Sequence, residues 1–317
     1  MKRLSSILAA TAVCAGLACA PMAGAAQLTP QQVAGNAAQS TLAPLEVTPE
    51  LEQQTWYQKY KDDPRVEKLQ ATSPAMNGRK IPLAVIRATD ENRPTIYLLN
   101  GAGGAEQDMD WLKLSDAVDF YHSKNVNVVI PQAGAFSYYT DWVSDPNSQY
   151  LKGPQKWETF LTRELPAYMK KNHNSDNRRN GIAGLSMSGT SALNLASRHP
   201  NFYKAVASYS GYPTVTFPGF TQGIQASVAT MGGDPNNMWG FYPAGQWFQN
   251  DPFLSANNLA GDYVYLSSGT GLGSKFDSSV NPTSGNFNPV KFSQMVPLEV
   301  AASVSTQLYI PRVAVVP

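Results

Sequence analysis

Cysteine is almost absent from this chain of 317 residues. The only two, Cys14 and Cys19, lie in an N-terminal segment with the pattern of an export signal. A lipid anchor on Cys19 is not expected, because Gly16 stands where such a site usually has leucine. After removal of the signal the chain has no thiol, which excludes disulfides, thiol catalysis and cysteine-bound metal.

The chain also lacks a surplus of positive charge. Removing Lys2 and Arg3 from the 24 basic residues leaves 22 against 23 acidic residues. Without an excess of basic residues, nucleic acid is not an expected partner. No later segment is long and apolar enough to span a bilayer, so no transmembrane segment is expected either.

The N-terminus predicts export. Lys2 and Arg3 precede an apolar stretch over residues 4–20, and Ala-Gly-Ala at residues 23–25 forms a small-residue cleavage site. The apolar stretch is shorter than the roughly 20 residues that cross a bilayer. We therefore predict a signal peptide over residues 1–26 and a location that is secreted or in the cell envelope.

Strand and helix candidates alternate along the remainder of the chain. An opening hairpin is predicted around the turn at residues 73–78. Further strands are predicted at residues 95–99, 126–131, 180–183, 205–210 and 263–267, with helices at 111–122, 157–171 and 190–198. This alternation favours an α/β fold, in which helices cover both faces of a mostly parallel sheet. Residues 61–317 are expected to form this one domain, and residues 27–60 a loosely held N-terminal arm.

One serine stands where a nucleophile is expected. Ser186 lies in the segment Gly-Leu-Ser-Met-Ser-Gly at residues 184–189, between a short apolar strand and an amphipathic helix. A strand, a sharp turn with serine at its tip and a helix form a nucleophile elbow. The usual pattern is Gly-x-Ser-x-Gly, and Ser188 takes the place of the second glycine. The alternative is a loop that is merely rich in glycine and serine.

A serine nucleophile needs donors for the oxyanion that forms when it attacks a carbonyl. The amide of Met187, next to the serine, is one expected donor. The amide of Ala102, in the Asn-Gly-Ala-Gly-Gly segment after the strand at residues 95–99, is the other. A glycine-rich loop could instead hold phosphate, but no Gly-Lys-Ser/Thr follows it, so this alternative is much weaker.

A general base for Ser186 is missing. Of the three histidines, His122 and His173 precede the serine, whereas this architecture places its histidine in a late loop. His199 ends the helix after the elbow and is expected roughly 20 Å away, at about 1.5 Å per residue. None of the three is a credible base.

Seven motifs in fixed order resemble the mycolyltransferases of the antigen 85 type, from bacteria that carry mycolic acids. The matching segments are residues 70–76, 97–101, 139–142, 156–162, 164–166, 184–187 with His199-Pro200, and 234–240. The resemblance covers about residues 65 to 310. It implies an α/β-hydrolase fold that transfers a mycolyl group from a trehalose ester to another sugar through an acyl-serine.

The resemblance also assigns roles to single residues. Ser186 matches the nucleophile, while Ala102 and Met187 match the oxyanion donors. Glu299 falls at the triad glutamate. Asn100 and Gly103 fall where the family has an aspartate and an arginine that contact trehalose, so the sugar contacts here must differ.

The resemblance places the triad histidine about thirty residues beyond the glutamate. This sequence stops at Pro317, 18 residues after Glu299. We therefore expect a domain that is shortened at its C-terminus and in which the catalytic histidine is absent.

The sequence leaves three functions open. The first is an exported acyltransferase acting on trehalose mycolates and cell-wall glycan acceptors, without cofactor or metal. The second is a secreted carboxylesterase, and the third a non-catalytic relative that binds the cell wall or matrix. The aromatic stretch at residues 212–249 is either a packed insertion or an apolar wall for a lipid.

Overall fold

The computed structural model describes residues 41–148, 150–269, 282, 284–286 and 288–314. Most of the chain it describes is built on one sheet of eight strands. The predicted signal peptide and the first part of the predicted arm lie outside the described residues.

The strands run in the order β1-β2-β3-β5-β4-β6-β7-β8 across the sheet. The pairs from β1 to β3, and β3 with β5, are antiparallel, whereas β4 to β8 are mutually parallel. Their bounds are β1 Thr41–Pro44, β2 Glu67–Ser73, β3 Arg79–Ile86, β4 Thr95–Leu99, β5 Asn127–Pro131, β6 Asn180–Leu185, β7 Tyr203–Tyr209 and β8 Tyr263–Ser267. The predicted α/β fold with a largely parallel sheet is confirmed.

Ten α-helices connect or cover these strands within the described residues. They are α1 Pro49–Glu52, α2 Thr55–Tyr60, α3 Trp111–Leu114, α4 Ala117–His122, α5 Trp157–Thr159, α6 Leu165–His173, α7 Met187–Arg198, α8 Phe220–Thr230, α9 Asn236–Trp239 and α10 Pro289–Ala314. None of the helices in the described ranges is both long and apolar enough to cross a membrane.

The opening hairpin forms as the sequence predicts. Strands β2 and β3 pair along their whole length, from Glu67 opposite Val85 to Ser73 opposite Arg79. Asn77 and Gly78 both adopt positive φ in the turn, which glycine and asparagine tolerate best.

Residues 41–60 do not form a loosely held arm. Strand β1 pairs with β2 and closes one side of the sheet, and the Trp56 ring in α2 is fully buried. Trp56 packs in the same apolar layer as Val66 and Leu112. The polar composition of residues 41–60 does not reveal this attachment, because only a few of their apolar side chains pack against the domain.

Two predicted helices differ from the structure. The helix over residues 111–122 is broken at Ser115, whose backbone is extended and whose hydroxyl bonds back to the Trp111 carbonyl. The helix over residues 157–171 is continuous to His173 but contains a wide π-helical turn at Phe160–Glu164. Pro166 follows this turn, and a proline lacks the N–H of a regular helical hydrogen bond.

Two apolar layers enclose the sheet. The larger contains α5, α6, α7 and the segment after residue 212, and the smaller contains α1 to α4. Strands β4 to β8 all point the same way, so their carboxyl ends meet at one edge. Asn100, Ser186, Ser210 and Gly269 lie just beyond those ends, at the edge where such sheets bind ligands.

Helix α7 approaches the chain after β7 so closely that neither side can carry a side chain. A Cβ on Gly189 would lie 2.9 Å from Gly211 Cα, and a Cβ on Gly211 would lie 2.5 Å from the Gly189 carbonyl carbon. Both obstacles are backbone, which cannot move aside like a flexible side chain. Glycine at both positions therefore fixes the first turn of α7 against the sheet.

Replacing Gly189 by alanine should lower the free energy of unfolding by about 1–3 kcal/mol, because the new methyl group meets backbone. Gly223, in helix α8, provides the matched control, since a Cβ there meets no atom within 4 Å. Gly223→Ala should leave stability unchanged or raise it by up to about 1 kcal/mol through helix propensity. Urea unfolding measures both, and equal effects of the two variants would contradict the close approach.

Candidate active site

Ser186 occupies the strained turn expected of a nucleophile. Its φ of 55° and ψ of −121° place a non-glycine residue in a region that side chains rarely adopt. The residue is exposed, and its amide donates to the Tyr209 carbonyl at 2.7 Å, which fixes the turn to strand β7. Strain at a residue that the surrounding structure holds firmly is typical of functional sites.

Gly184 makes this turn geometrically feasible. A Cβ at Gly184 would lie 2.1 Å from the Ser188 carbonyl oxygen, so the strand and the helix could not approach with any larger residue there. The first glycine of the motif is therefore required by sterics. The second is not, because Ser188 fits and is completely buried.

The two predicted oxyanion donors lie on neighbouring segments. The Met187 amide opens helix α7, where the first N–H groups have no acceptor within the helix. The Ala102 amide donates to no protein acceptor among the described residues, whereas its carbonyl accepts from Phe136 at 2.8 Å. A Cβ on Gly101 would lie 2.9 Å from the Leu185 side chain, so the loop at residues 100–104 packs directly on the elbow.

The two predicted sugar-contact positions are both largely enclosed by protein. The Asn100 side chain donates to the Pro131 carbonyl at 2.9 Å and accepts from the Trp111 amide at 3.1 Å. It therefore supports the loop that carries Ala102. At Gly103, the space for a side chain is bounded by Gln107 and Met109. A direct sugar contact at either position stays a prediction.

Glu299 lies at the same edge of the sheet as Ser186. Helix α10 carries it, and its carboxylate accepts from the Gly269 amide at 3.2 Å, just beyond strand β8. Burial, with the negative charge of Glu299 nearby, raises the pKa of Tyr212 to about 12. The Tyr212 amide donates to the Thr190 hydroxyl at 2.8 Å in the first turn of α7. Glu299 is therefore fixed at the end of β8 by Gly269, and Tyr212 is fixed to the helix that follows Ser186.

The three histidines lie at the other edge. His122 and His173 end helices before β5 and β6, and His199 directly follows α7 before β7. A strand of five or six residues separates the two edges by roughly 15–20 Å. None of the three can therefore take the proton of Ser186.

Two of these histidines have carboxylate partners of their own. His173 bonds Glu67 at 2.9 Å, and His199 bonds Glu158 at 2.7 Å, beside Arg198 at 3.1 Å. Among the residues that the structure describes, no three His, Asp or Glu side chains form a cluster that could hold a metal ion.

The aromatic stretch at residues 212–249 is partly packed and partly exposed. Trp239 and Trp247 are buried with Ile224 in the larger apolar layer. Phe241, Tyr242 and Phe248 are exposed, with Phe241 the most exposed of them at 73 %. Both alternatives for this stretch therefore stay open.

A strained segment that the sequence did not reveal lies beside the site. Phe136, Tyr138 and Tyr139 all adopt positive φ, which bulky residues rarely do. The Tyr138 carbonyl accepts from the Ser191 hydroxyl at 2.7 Å, so the segment is fixed to the first turns of α7. Gly134 is the only residue in this segment whose type signals an unusual backbone, so propensity alone could not have found it.

The sheet topology and the strained serine turn define the class of this protein, which is an α/β-hydrolase fold with a nucleophile elbow. Comparison with known families agrees, since the family model called Esterase matches residues 73–283.

Individual relatives narrow the assignment. The chain is 33% identical over 214 residues to diacylglycerol acyltransferase/mycolyltransferase Ag85A of Mycobacterium ulcerans, covering 64% of this chain and 61% of that protein. It is 31% identical over 238 residues to Ag85C of Mycobacterium leprae, covering 74% of this chain and 68% of that relative. The crystal structure of Mycobacterium tuberculosis MPT51 (FbpC1) superposes with a TM-score of 0.64 at 26% identity, covering 78% of this chain and 85% of that one.

The chain therefore belongs to the Esterase family, with mycolyltransferases of the antigen 85 type among its relatives. It spans about three fifths of the length of the Mycobacterium ulcerans relative.

The ion pair that holds His199 should make stability depend on acid pH. Burial opposes the charge of Glu158, but the His199 hydrogen bond and Arg198 outweigh it and hold the pKa of the carboxyl at about 2. A depressed pKa contributes stability that is present above the ordinary value of 4.5 and is lost as the pH falls towards 2. This difference corresponds to about 3 kcal/mol.

Glu158→Gln should therefore have a lower free energy of unfolding than the parent chain at pH 6. This difference in the free energy of unfolding, the stability gap, should narrow as the pH approaches 2. Urea unfolding at several pH values measures this gap. Asp262→Asn is the control, because the lysine that pairs with Asp262 is more exposed than the Arg198 and His199 partners of Glu158. A gap that stays constant with pH would show that Glu158 is not held ionised.

Proposed function

We propose that this protein is an exported acyltransferase that moves a mycolyl group between trehalose esters or onto cell-wall sugars. The observation that carries the proposal is the exposed, strained Ser186 at the head of α7, next to Met187 and to the loop of Ala102, whose Gly101 packs on Leu185. The names of the Ag85 relatives, diacylglycerol acyltransferase/mycolyltransferase, supply the acyl group and the reaction class. The pattern of the N-terminus supports export.

The chemistry follows from the nucleophile. Ser186 Oγ attacks the ester carbonyl of the donor and forms a C–O bond, while a base takes the hydroxyl proton. The negative charge on the carbonyl oxygen is stabilised by the Ala102 and Met187 amides. The bond to the donor sugar then breaks, and the base returns the proton to that sugar oxygen. An acceptor hydroxyl reverses these steps on the acyl-serine.

The base in this scheme is not one of the three histidines present, because all lie at the opposite edge of the sheet. Glu299 would orient a histidine that approaches Ser186 from the same edge, and Glu299 is held there by the Gly269 amide. Without such a base, the oxyanion donors alone leave about 10³–10⁴-fold acceleration over water. We therefore expect the 317-residue chain to turn over far more slowly than an intact triad would.

Free imidazole should partly replace the missing base. With a trehalose fatty-acid monoester as donor and trehalose as acceptor, added imidazole should raise formation of the trehalose diester by at least about tenfold, which is less than the roughly 10²–10⁴-fold of a positioned general base. Ser186→Ala should abolish the imidazole-dependent product. Mass spectrometry measures the diester, the acyl-serine and the free acid.

The same assay separates the proposal from the two other functions. Free acid formed at equal rates with and without trehalose would show an esterase instead of a transferase. No product dependent on Ser186 at any imidazole concentration would favour a non-catalytic binding protein. Ser197→Ala, which alters a buried serine at the far end of the same helix, should behave like the parent chain.

A further inference from the structure

We propose that Ser188 is a positioning residue, whose hydroxyl sets the distance between the nucleophile turn and the oxyanion loop. The inference rests on the proposed function. Ser188 is two residues beyond the nucleophile, where the usual motif has glycine, and it is completely buried. Its side chain points away from solvent and cannot itself contact substrate.

The hydroxyl joins two separate strands. Ser188 Oγ accepts from the Leu185 amide at 2.9 Å and lies 2.8 Å from the Leu99 carbonyl oxygen. It also lies 3.1 Å from the Leu185 carbonyl oxygen. Since a hydroxyl has only one proton, the shorter contact favours donation to Leu99.

Leu99 and Leu185, the two hydrogen-bond partners of Ser188, are the last residues of their strands and directly precede the two segments of the proposed site. Leu99 is the last residue of β4, and Asn100, Gly101 and the donor Ala102 follow it. Leu185 is the last residue of β6, and Ser186 follows it. The hydroxyl therefore bridges the two strands at the point where each chain leaves the sheet to enter the site.

The sheet itself does not make this connection. Pairing of β4 with β6 ends with Leu99 opposite Gly184, so the strands separate beyond that pair. Ser188 Oγ lies between the Leu99 carbonyl and the Leu185 amide, and in effect extends the pairing by one step. The Leu99 carbonyl also accepts from Trp111 Nε1 at 2.7 Å, so it would keep a donor without Ser188. The Leu185 amide, by contrast, donates to Ser188 Oγ and would lose that acceptor.

The position of this bridge matters because oxyanion donors act over short distances. A donor stabilises the transition state when it lies about 2.7–3.1 Å from the oxygen, and small displacements weaken it steeply. A change in the separation of Leu99 from Leu185 moves Ala102 relative to Ser186 and Met187. Loss of the hydroxyl also leaves the half-buried Leu185 N–H without this acceptor.

The test uses Ser188→Ala, which removes the hydroxyl but keeps the Cβ. An alkyl p-nitrophenyl phosphonate serves as the probe, with imidazole present. Ser186 Oγ forms a P–O bond, p-nitrophenolate leaves, and imidazole takes the hydroxyl proton. The maximal labelling rate should fall about 5- to 50-fold, while the concentration for half-maximal rate should change by less than about twofold.

Hydrogen exchange provides a second measurement on the same variant. The Leu185 amide should exchange faster in Ser188→Ala by at least about tenfold, because its acceptor is gone. Ser197→Ala is the matched control, as Ser197 lies in the same helix, is equally buried and bonds Asn194 and Ser255 at the opposite edge. It should alter neither the labelling rate nor the exchange of Leu185.

The outcomes separate this inference from the proposed function. If the parent chain labels at Ser186 and both alanine variants label equally fast, Ser188 does not position the site, whereas the proposed function stands. A change in the half-maximal concentration alone in Ser188→Ala would overturn the positioning role in the same way. If the parent chain neither labels at Ser186 nor forms diester, the proposed function fails and the positioning role fails with it.

Discussion

The close approach of backbone segments around the nucleophile is the constraint on which the site depends. Strand β6, helix α7 and the chain after β7 meet where side chains would collide, so Gly184, Gly189 and Gly211 have none. Ser186 lies at this contact with positive φ and is exposed at the edge of the sheet. The same proximity lets one buried hydroxyl, that of Ser188, reach two strands at once.

The parallel strands place the proposed catalytic groups at one edge of the sheet and histidine–carboxylate pairs at the other. Ser186 and the loop at residues 100–104 follow the carboxyl ends of β6 and β4, and Glu299 reaches the same edge through the Gly269 amide. The histidines lie near the amino ends of the parallel strands, where His173 bonds to Glu67 and His199 bonds to Glu158. Whether a histidine in this fold can act as a base for Ser186 therefore depends on the edge of the sheet at which it lies. Its presence in the sequence is not sufficient.

Several elements were predictable because one local pattern decided them. The hairpin around Asn77, strands β4 and β8 and the elbow at Ser186 each combine an apolar run with a turn residue that admits few conformations. Other features were not predictable, because distant contacts decide them. Residues 41–60 join the domain through β1 and Trp56, and the positive φ of Tyr138 occurs where its carbonyl accepts from Ser191 in α7.

By itself, the sequence determined the class of fold, the position of the elbow serine and the unsuitability of its three histidines as a base. These conclusions depend only on residue type and chain order. A strand-turn-helix motif marks Ser186, two of the histidines precede it, and the third lies at the end of the helix after the elbow. The tertiary structure alone decided that the Asn100 side chain holds the start of the loop at residues 100–104, that Glu299 reaches Gly269 and that Ser188 bridges Leu99 and Leu185. Each of these is a hydrogen bond between residues on different elements, and such distances are set only when the whole sheet assembles.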